Sequence, residues 1–175
     1  MTRRVCAILA ILTPIAAVHA AALVVTKSST VVADQVNAIN PKALPNATVD
    51  YAIRVDNPNG ILSGNTVGGV VIADAIPTTV ILRVADYGGA GSGPVEFADG
   101  SLLGLGLLGS GLNYGFGGLG SPTDGIEFFN GTTWSYTPVP DAQGYDANVR
   151  AIRVKLTGTQ AASSAFRLRF RVRLK

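Results

Sequence analysis

Histidine, cysteine and methionine occur once each in the 175-residue chain, as His19, Cys6 and Met1, and only two glutamates are present, Glu96 and Glu127. The three single residues all fall within the first twenty positions. If those positions form a cleaved export signal, the mature chain keeps no imidazole for proton transfer near neutral pH, no thiolate nucleophile and neither of the usual transition-metal ligands. These absences argue against an enzyme and for a binding or building role, with no cofactor and no metal expected. The N-terminal apolar run, residues 5–18, is also too short for a membrane span. It counts about 14 residues against the ~20 that a helix needs, and Pro14 interrupts it.

What the N-terminus does hold fits a secretory signal over residues 1–20. Arg3 and Arg4 make a basic start, the apolar run follows, and Ala20, Ala21 and Ala22 supply small residues for cleavage after Ala20 or after Ala22. Cys6 precedes most of the apolar run, too early for a lipid-bearing cysteine. Cleavage leaves no transmembrane segment and places the protein in the periplasm, on the outer surface or outside the cell. Without a disulfide in an oxidising compartment, stability must come from a core or from assembly. A cut after Ala20 leaves 155 residues, enough for one domain, expected over residues 23–175.

Apolar residues follow the period of strands. Val49, Tyr51, Ile53 and Val55 alternate with Asp50, Ala52, Arg54 and Asp56, and Asn57, Pro58, Asn59 and Gly60 end the strand in a turn. Further strands are expected over residues 23–33, 67–75, 79–87, 148–156 and 165–174. Residues 126–129 and 133–137 flank Asn130-Gly131, the dipeptide favoured in tight hairpins because both residues tolerate positive φ. No sustained helical period with a cap occurs in the mature chain. The expected fold is all-β, an immunoglobulin-like sandwich of seven to eight strands. Residues 88–125 depart from the pattern as a Gly- and Leu-rich insertion, too long for an ordinary loop, and are expected to form irregular strands or a flap over the sandwich.

The net charge of +3 hides a division. Residues 21–149 hold four basic residues against all eleven acidic ones, a balance of −7, while residues 150–175 hold eight basic residues and no acid, +8. At the end of the chain Phe166, Leu168, Phe170, Val172 and Leu174 alternate with Arg167, Arg169, Arg171, Arg173 and Lys175. An extended strand of this composition has one apolar face and one cationic face. Three readings compete for it. It is a core strand whose arginines lie across acidic neighbours such as Asp50 and Asp56; or a contact for an anionic envelope polymer; or an edge that pairs with another copy or another envelope protein. Nucleic acid is not expected, since the segment lacks interleaved exposed aromatics and the protein is exported.

Other motifs weigh less. Gly104, Gly106 and Gly109, and again Gly115, Gly117 and Gly120, match the spacing of a dinucleotide fingerprint, but no helical pattern follows either set. Asp141, Gln143, Asp146 and Asn148 offer oxygen ligands in a polar turn whose spacing fits no calcium loop. Glu96 and Glu127 have no sequence reason to meet as a catalytic pair. Trp134 and Tyr136 lie two apart, with Phe128 across the expected hairpin, and suit either a core or a platform for sugar rings.

The run from Leu44 to Gly60, Leu-Pro-Asn-Ala-Thr-Val-Asp-Tyr-Ala-Ile-Arg-Val-Asp-Asn-Pro-Asn-Gly, followed by Val70-Val71-Ile72-Ala73-Asp74-Ala75-Ile76-Pro77, resembles the bacterial conserved-repeat family called domain of unknown function eleven. The resemblance covers about residues 23–87 in a single copy. It implies an immunoglobulin-like module on exported envelope or surface proteins, with no assigned enzymatic activity and no binding residues to carry over. The expected function is therefore a non-enzymatic structural or adhesive role in the envelope, with a binding module for an anionic or sugar polymer as the alternative. Intact mass of the exported product is expected to correspond to a chain beginning at Ala21 or Leu23; a mass that retains Arg3 and Arg4 would remove the export reading.

Overall fold

The computed structural model describes residues 21–100 and 109–175. The expected signal segment, with Cys6 and His19, and Gly104 and Gly106 of the first glycine set lie outside the described residues. The described chain is nearly all β. Its strands are β1 (Val24–Ala33), β2 (Thr48–Asp56), β3 (Val67–Gly68), β4 (Val71–Ala75), β5 (Val80–Arg83), β6 (Val95–Asp99), β7 (Leu112–Asn113), β8 (Ile126–Phe129), β9 (Tyr145–Asp146), β10 (Ala151–Lys155), β11 (Thr157–Gln160) and β12 (Ala165–Leu174). A single 3-10 turn, Ile61–Ser63, is the one helical element among the described residues.

Every pairing is antiparallel. The largest sheet has six strands in the order β1-β2-β12-β5-β9, with β6 also paired to β12. A second sheet is β4-β10-β8 and a third, small one is β3-β11-β7. β12 is the centre of the first. β2 pairs along it from Ala165 to Arg173, while its other side is shared by β6, opposite Phe166 to Phe170, and β5, opposite Val172 to Leu174. The C-terminal strand thus has neighbours on both sides and offers no free edge, because its apolar alternation suits the most buried place in the sheet.

The register keeps like with like. Phe166 faces Val55, Leu168 faces Ile53 and Val172 faces Val49, all buried. The same core takes in Ile126, Phe128, Ile152 and Val154 from β8 and β10, so it lies between the first two sheets. Two inward polar groups close it at one side. Lys27 of β1 donates to Asp74 of β4 at 2.7 Å, joining the edge strands of the two sheets, and its ammonium stands 4.7 Å from the Tyr51 ring centre. At the end of β2 the turn asparagines are buried rather than solvated. Asn57 donates to the Asn65 carbonyl at 3.1 Å and accepts from the Asn59 amide nitrogens, and Asn59 exchanges hydrogen bonds with the backbone of Ala21 at 2.8 and 3.0 Å.

Several expectations need correction. Twelve strand segments are present among the described residues where seven or eight are expected, since the structure adds β6, β7, β9 and β11 and divides residues 67–75 between two sheets. The Asn130-Gly131 reversal is not a two-residue hairpin. Phe128 pairs with Tyr136, leaving seven residues between them; only Gly131 has positive φ, +98°, and the Asn130 side chain accepts the Thr132 and Thr133 amides at 2.9 and 3.0 Å instead. β8 finds its main partner in β10. The Gly-rich insertion contributes β6 and β7, and Tyr114, Phe116 and Leu119 pack against the core. Where β7 meets β11, a Cβ on Gly158 would stand 2.3 Å from the Gly111 carbonyl oxygen, so the crossing requires glycine. Phe170 is 1% exposed at the centre of the main sheet. Phe170→Ala is expected to cost about 3–5 kcal/mol in denaturant unfolding, and a loss below about 1 kcal/mol would contradict this placement.

Candidate functional site

The outward face of β12 presents Arg167, Arg169, Arg171 and Arg173. Each neighbouring element brings a different partner to them. Asp50, directly opposite on β2, accepts from Arg171 through both carboxylate oxygens, at 2.6 and 3.0 Å. Glu96, directly opposite on β6, accepts from Arg169 in the same forked geometry at 2.5 and 2.6 Å. Arg173 donates to Asp141 at 3.3 Å and stacks on Tyr145 of β9, with 4.4 Å from guanidinium carbon to ring centre. Asp56 accepts from Arg54, its neighbour on the same strand, and not from a C-terminal arginine.

β12 changes partner from β5 to β6, and the chain joining those strands carries Tyr87 over the arginines. Its ring centre lies 5.2 Å from the guanidinium carbon of Arg169 and 5.1 Å from that of Arg171, and its hydroxyl donates to Asp50 at 2.7 Å. Burial pushes the Asp50 carboxyl up, but the hydrogen bonds from Arg171 and Tyr87, with the charges of Arg171 and Arg169, outweigh it and hold the group below its ordinary value. Burial, and then the bond to Asp50, push the Tyr87 phenol up to about 12. The hydrogen bond to Glu96 raises Arg169 and the hydrogen bond to Asp50 raises Arg171, keeping both charged.

Arg167 differs from its neighbours. It stands between Arg54 and Ala98, and its buried Nε has no hydrogen-bond partner among the described residues. Lys175 is exposed, with its backbone amide bound to the Thr79 carbonyl at 2.9 Å. The cationic row is thus largely an internal ion-pair network, with Arg167 and Lys175 at its two ends outside it among the described residues.

Trp134 and Tyr136 contact opposite-facing residues of β8. Trp134 stacks on Phe129, 5.1 Å between ring centres, beneath the Arg153 guanidinium at 4.4 Å. Tyr136 pairs with core residue Phe128, packs on the core and donates to Asp146 at 2.8 Å. Both also line an open cleft of about 350 Å³ with Leu119, Pro122 and Glu127. Glu127 binds Arg153 and Lys155, on a different sheet from Glu96, so the two glutamates do not form a pair. Asp141 caps the amides of Gln143 and Tyr145, and Asp146 those of Val139 and Asn148, leaving this turn as folded backbone and no metal cluster among the described residues. No helix follows Gly115, Gly117 and Gly120; the chain passes into β8.

Sequence reasoning missed Tyr87, Glu96, Asp141 and Tyr145 as partners of the arginines. The charge division signalled that acids must meet the C-terminal strand, but only the pairing of β6 and β9 selects which. Because Asp50 lies low in the folded state, its stabilising contribution is complete above an unfolded value of about 4 and is lost as pH falls through the lowered folded value. Asp50→Asn is expected to lose about 1–3 kcal/mol at neutral pH, and the gap from wild type should narrow on acidification. Urea midpoints at neutral pH and at pH 3 check this; a gap that does not change with pH would contradict it. Comparison with known proteins finds no matching family model, no matching curated protein and no matching solved structure.

Proposed function

We propose that the chain is an exported, non-enzymatic module of a bacterial envelope or surface, an immunoglobulin-like sandwich whose work is structural or adhesive contact through a backbone edge. The observation that carries the reading is β1. It is ten residues long, lies outermost in the six-stranded sheet, and is exposed along all but one residue. An edge of that length offers a row of backbone donors and acceptors to a partner strand. The arginines support the same reading, since Arg169, Arg171 and Arg173 already hold carboxylates and give little free charge to an outside ligand. The signal-like N-terminus and the resemblance of residues 44–77 to the conserved-repeat family support an exported module, and the core between a six-stranded and a three-stranded sheet supports the sandwich.

A second reading, a module for an anionic or sugar polymer, draws on the cleft beside Trp134 and Tyr136 and on Arg167, which lacks a carboxylate among the described residues. Hydrogen exchange separates the two. With cell-envelope material added, the amides of β1 are expected to exchange more slowly while retention of the protein changes little with salt. Unchanged β1 exchange, with retention falling about tenfold between 50 and 200 mM salt as two phosphate-like contacts at Arg167 and Lys175 require, would replace the first reading with the second.

A further inference from the structure

We propose that β1 is a self-pairing edge: two copies of the chain join antiparallel along β1, about a two-fold axis through Ser28, so that the six-stranded sheet runs on from one molecule into the next. The inference rests on the edge-contact reading above and names its partner.

The strand reads as a near palindrome. From Val25 to Val31 the order is Val-Thr-Lys-Ser-Ser-Thr-Val, so an axis at Ser28 sets Val25 against Val31, Thr26 against Thr30 and Lys27 against Ser29 of the other copy. Residues directly opposite in an antiparallel pair share a face, and this register keeps each face matched: valine meets valine, threonine meets threonine, and no charge meets its like. Moving the axis one residue to Lys27 puts two ammonium groups face to face. Moving it to Ser29 sets Lys27 against Val31. Ser28 is therefore the register that the side chains select.

Most of the devices by which proteins blunt an edge are missing along this stretch. It contains no proline, its pairing with β2 is regular from Val24 to Val31, and the single irregularity, between Val31 and Ala33, falls beyond the matched residues. Its one charge, Lys27, is an inward-pointing charge of the kind that guards an edge, but here Asp74 neutralises it at 2.6 Å. Val25 is 58% exposed, so pairing against Val31 covers apolar surface now in water. The edge is also ordered in advance. β2 holds it along its length, Asn59 fixes Ala21 just before it, and the Lys27 ion pair ties it to the second sheet, so strand addition has little chain left to immobilise.

Single cysteines read the register. The variants are expressed from the full chain with Cys6→Ser throughout and recovered in exported form. Opposed Cα atoms of an antiparallel pair lie about 4.5–5.5 Å apart, within disulfide reach, whereas residues four positions out of register are separated by about 13 Å. Ser28→Cys is expected to cross-link to itself on mild oxidation. Thr26→Cys and Thr30→Cys should each remain single chains, yet cross-link when mixed. The triple change Thr26→Lys, Ser28→Lys and Thr30→Lys, all at exposed positions, should weaken sedimentation dimers by more than about tenfold with an unchanged circular dichroism spectrum. Cross-linking of Thr26→Cys alone as fast as Ser28→Cys would overturn the register, and a wild type that sediments as a monomer at every concentration would overturn self-pairing. If that monomer still shows β1 amides protected by envelope material, the edge-contact reading survives without the dimer; if neither occurs, both fall.

Discussion

Successive outward side chains of a strand stand about 6.8 Å apart, so four arginines at alternate positions of β12 bring like charges close together on a half-buried face. Such a row is tolerable in the middle of a sheet when neighbouring elements answer it with anions, as they do here for three of the four. The answers come from places far apart in the chain: Asp50 lies 121 residues before Arg171, and Glu96 lies 73 residues before Arg169. Those pairings in turn fix the registers of β2 and β6 against β12. A slip of one residue would turn a carboxylate into the core and leave an arginine beside backbone. The apolar face of β12 anchors the core and its polar face sets the alignment, so the two functions of the strand enforce each other.

The division of charge along the chain is consequently an internal matter. A balance of −7 upstream and +8 downstream leaves residues 21–175 with a net charge of only +1, and much of the positive segment is held against the negative one. Tyr87 makes the join more than electrostatic. Its ring covers two guanidiniums and its hydroxyl completes the coordination of Asp50, in the space opened where β12 exchanges β5 for β6 as a neighbour.

β2 and β12 were the most legible parts of the fold, because strict alternation of large apolar and charged residues admits only one extended solution per face. β1 was legible for its valine and threonine content. The short strands β7, β9 and β11 were not, because two to four residues leave no period to read and Gly158 signals a close crossing only after Gly111 is placed beside it. The Asn130-Gly131 turn misled for a local reason: the asparagine side chain took over the amides that a tight hairpin would have given to its backbone partner. At the arginine face, the kind of partner was legible from charge, but its identity depended on β6 emerging from a glycine-rich stretch where only Val95, Phe97 and the flanking acids hint at a strand. Trp134 and Tyr136, two residues apart, promised a shared face, and the irregular backbone divided them.

The central position of β12 also has a consequence in time. A sheet whose middle strand comes from residues 165–174 has no middle while the earlier part of the chain is being made. β1 and β2 can pair early, yet β6 has nothing in the sheet to dock on until residues 165–174 appear, and β5 has only the two residues of β9. Folding of this kind is slow and waits until β12 is made.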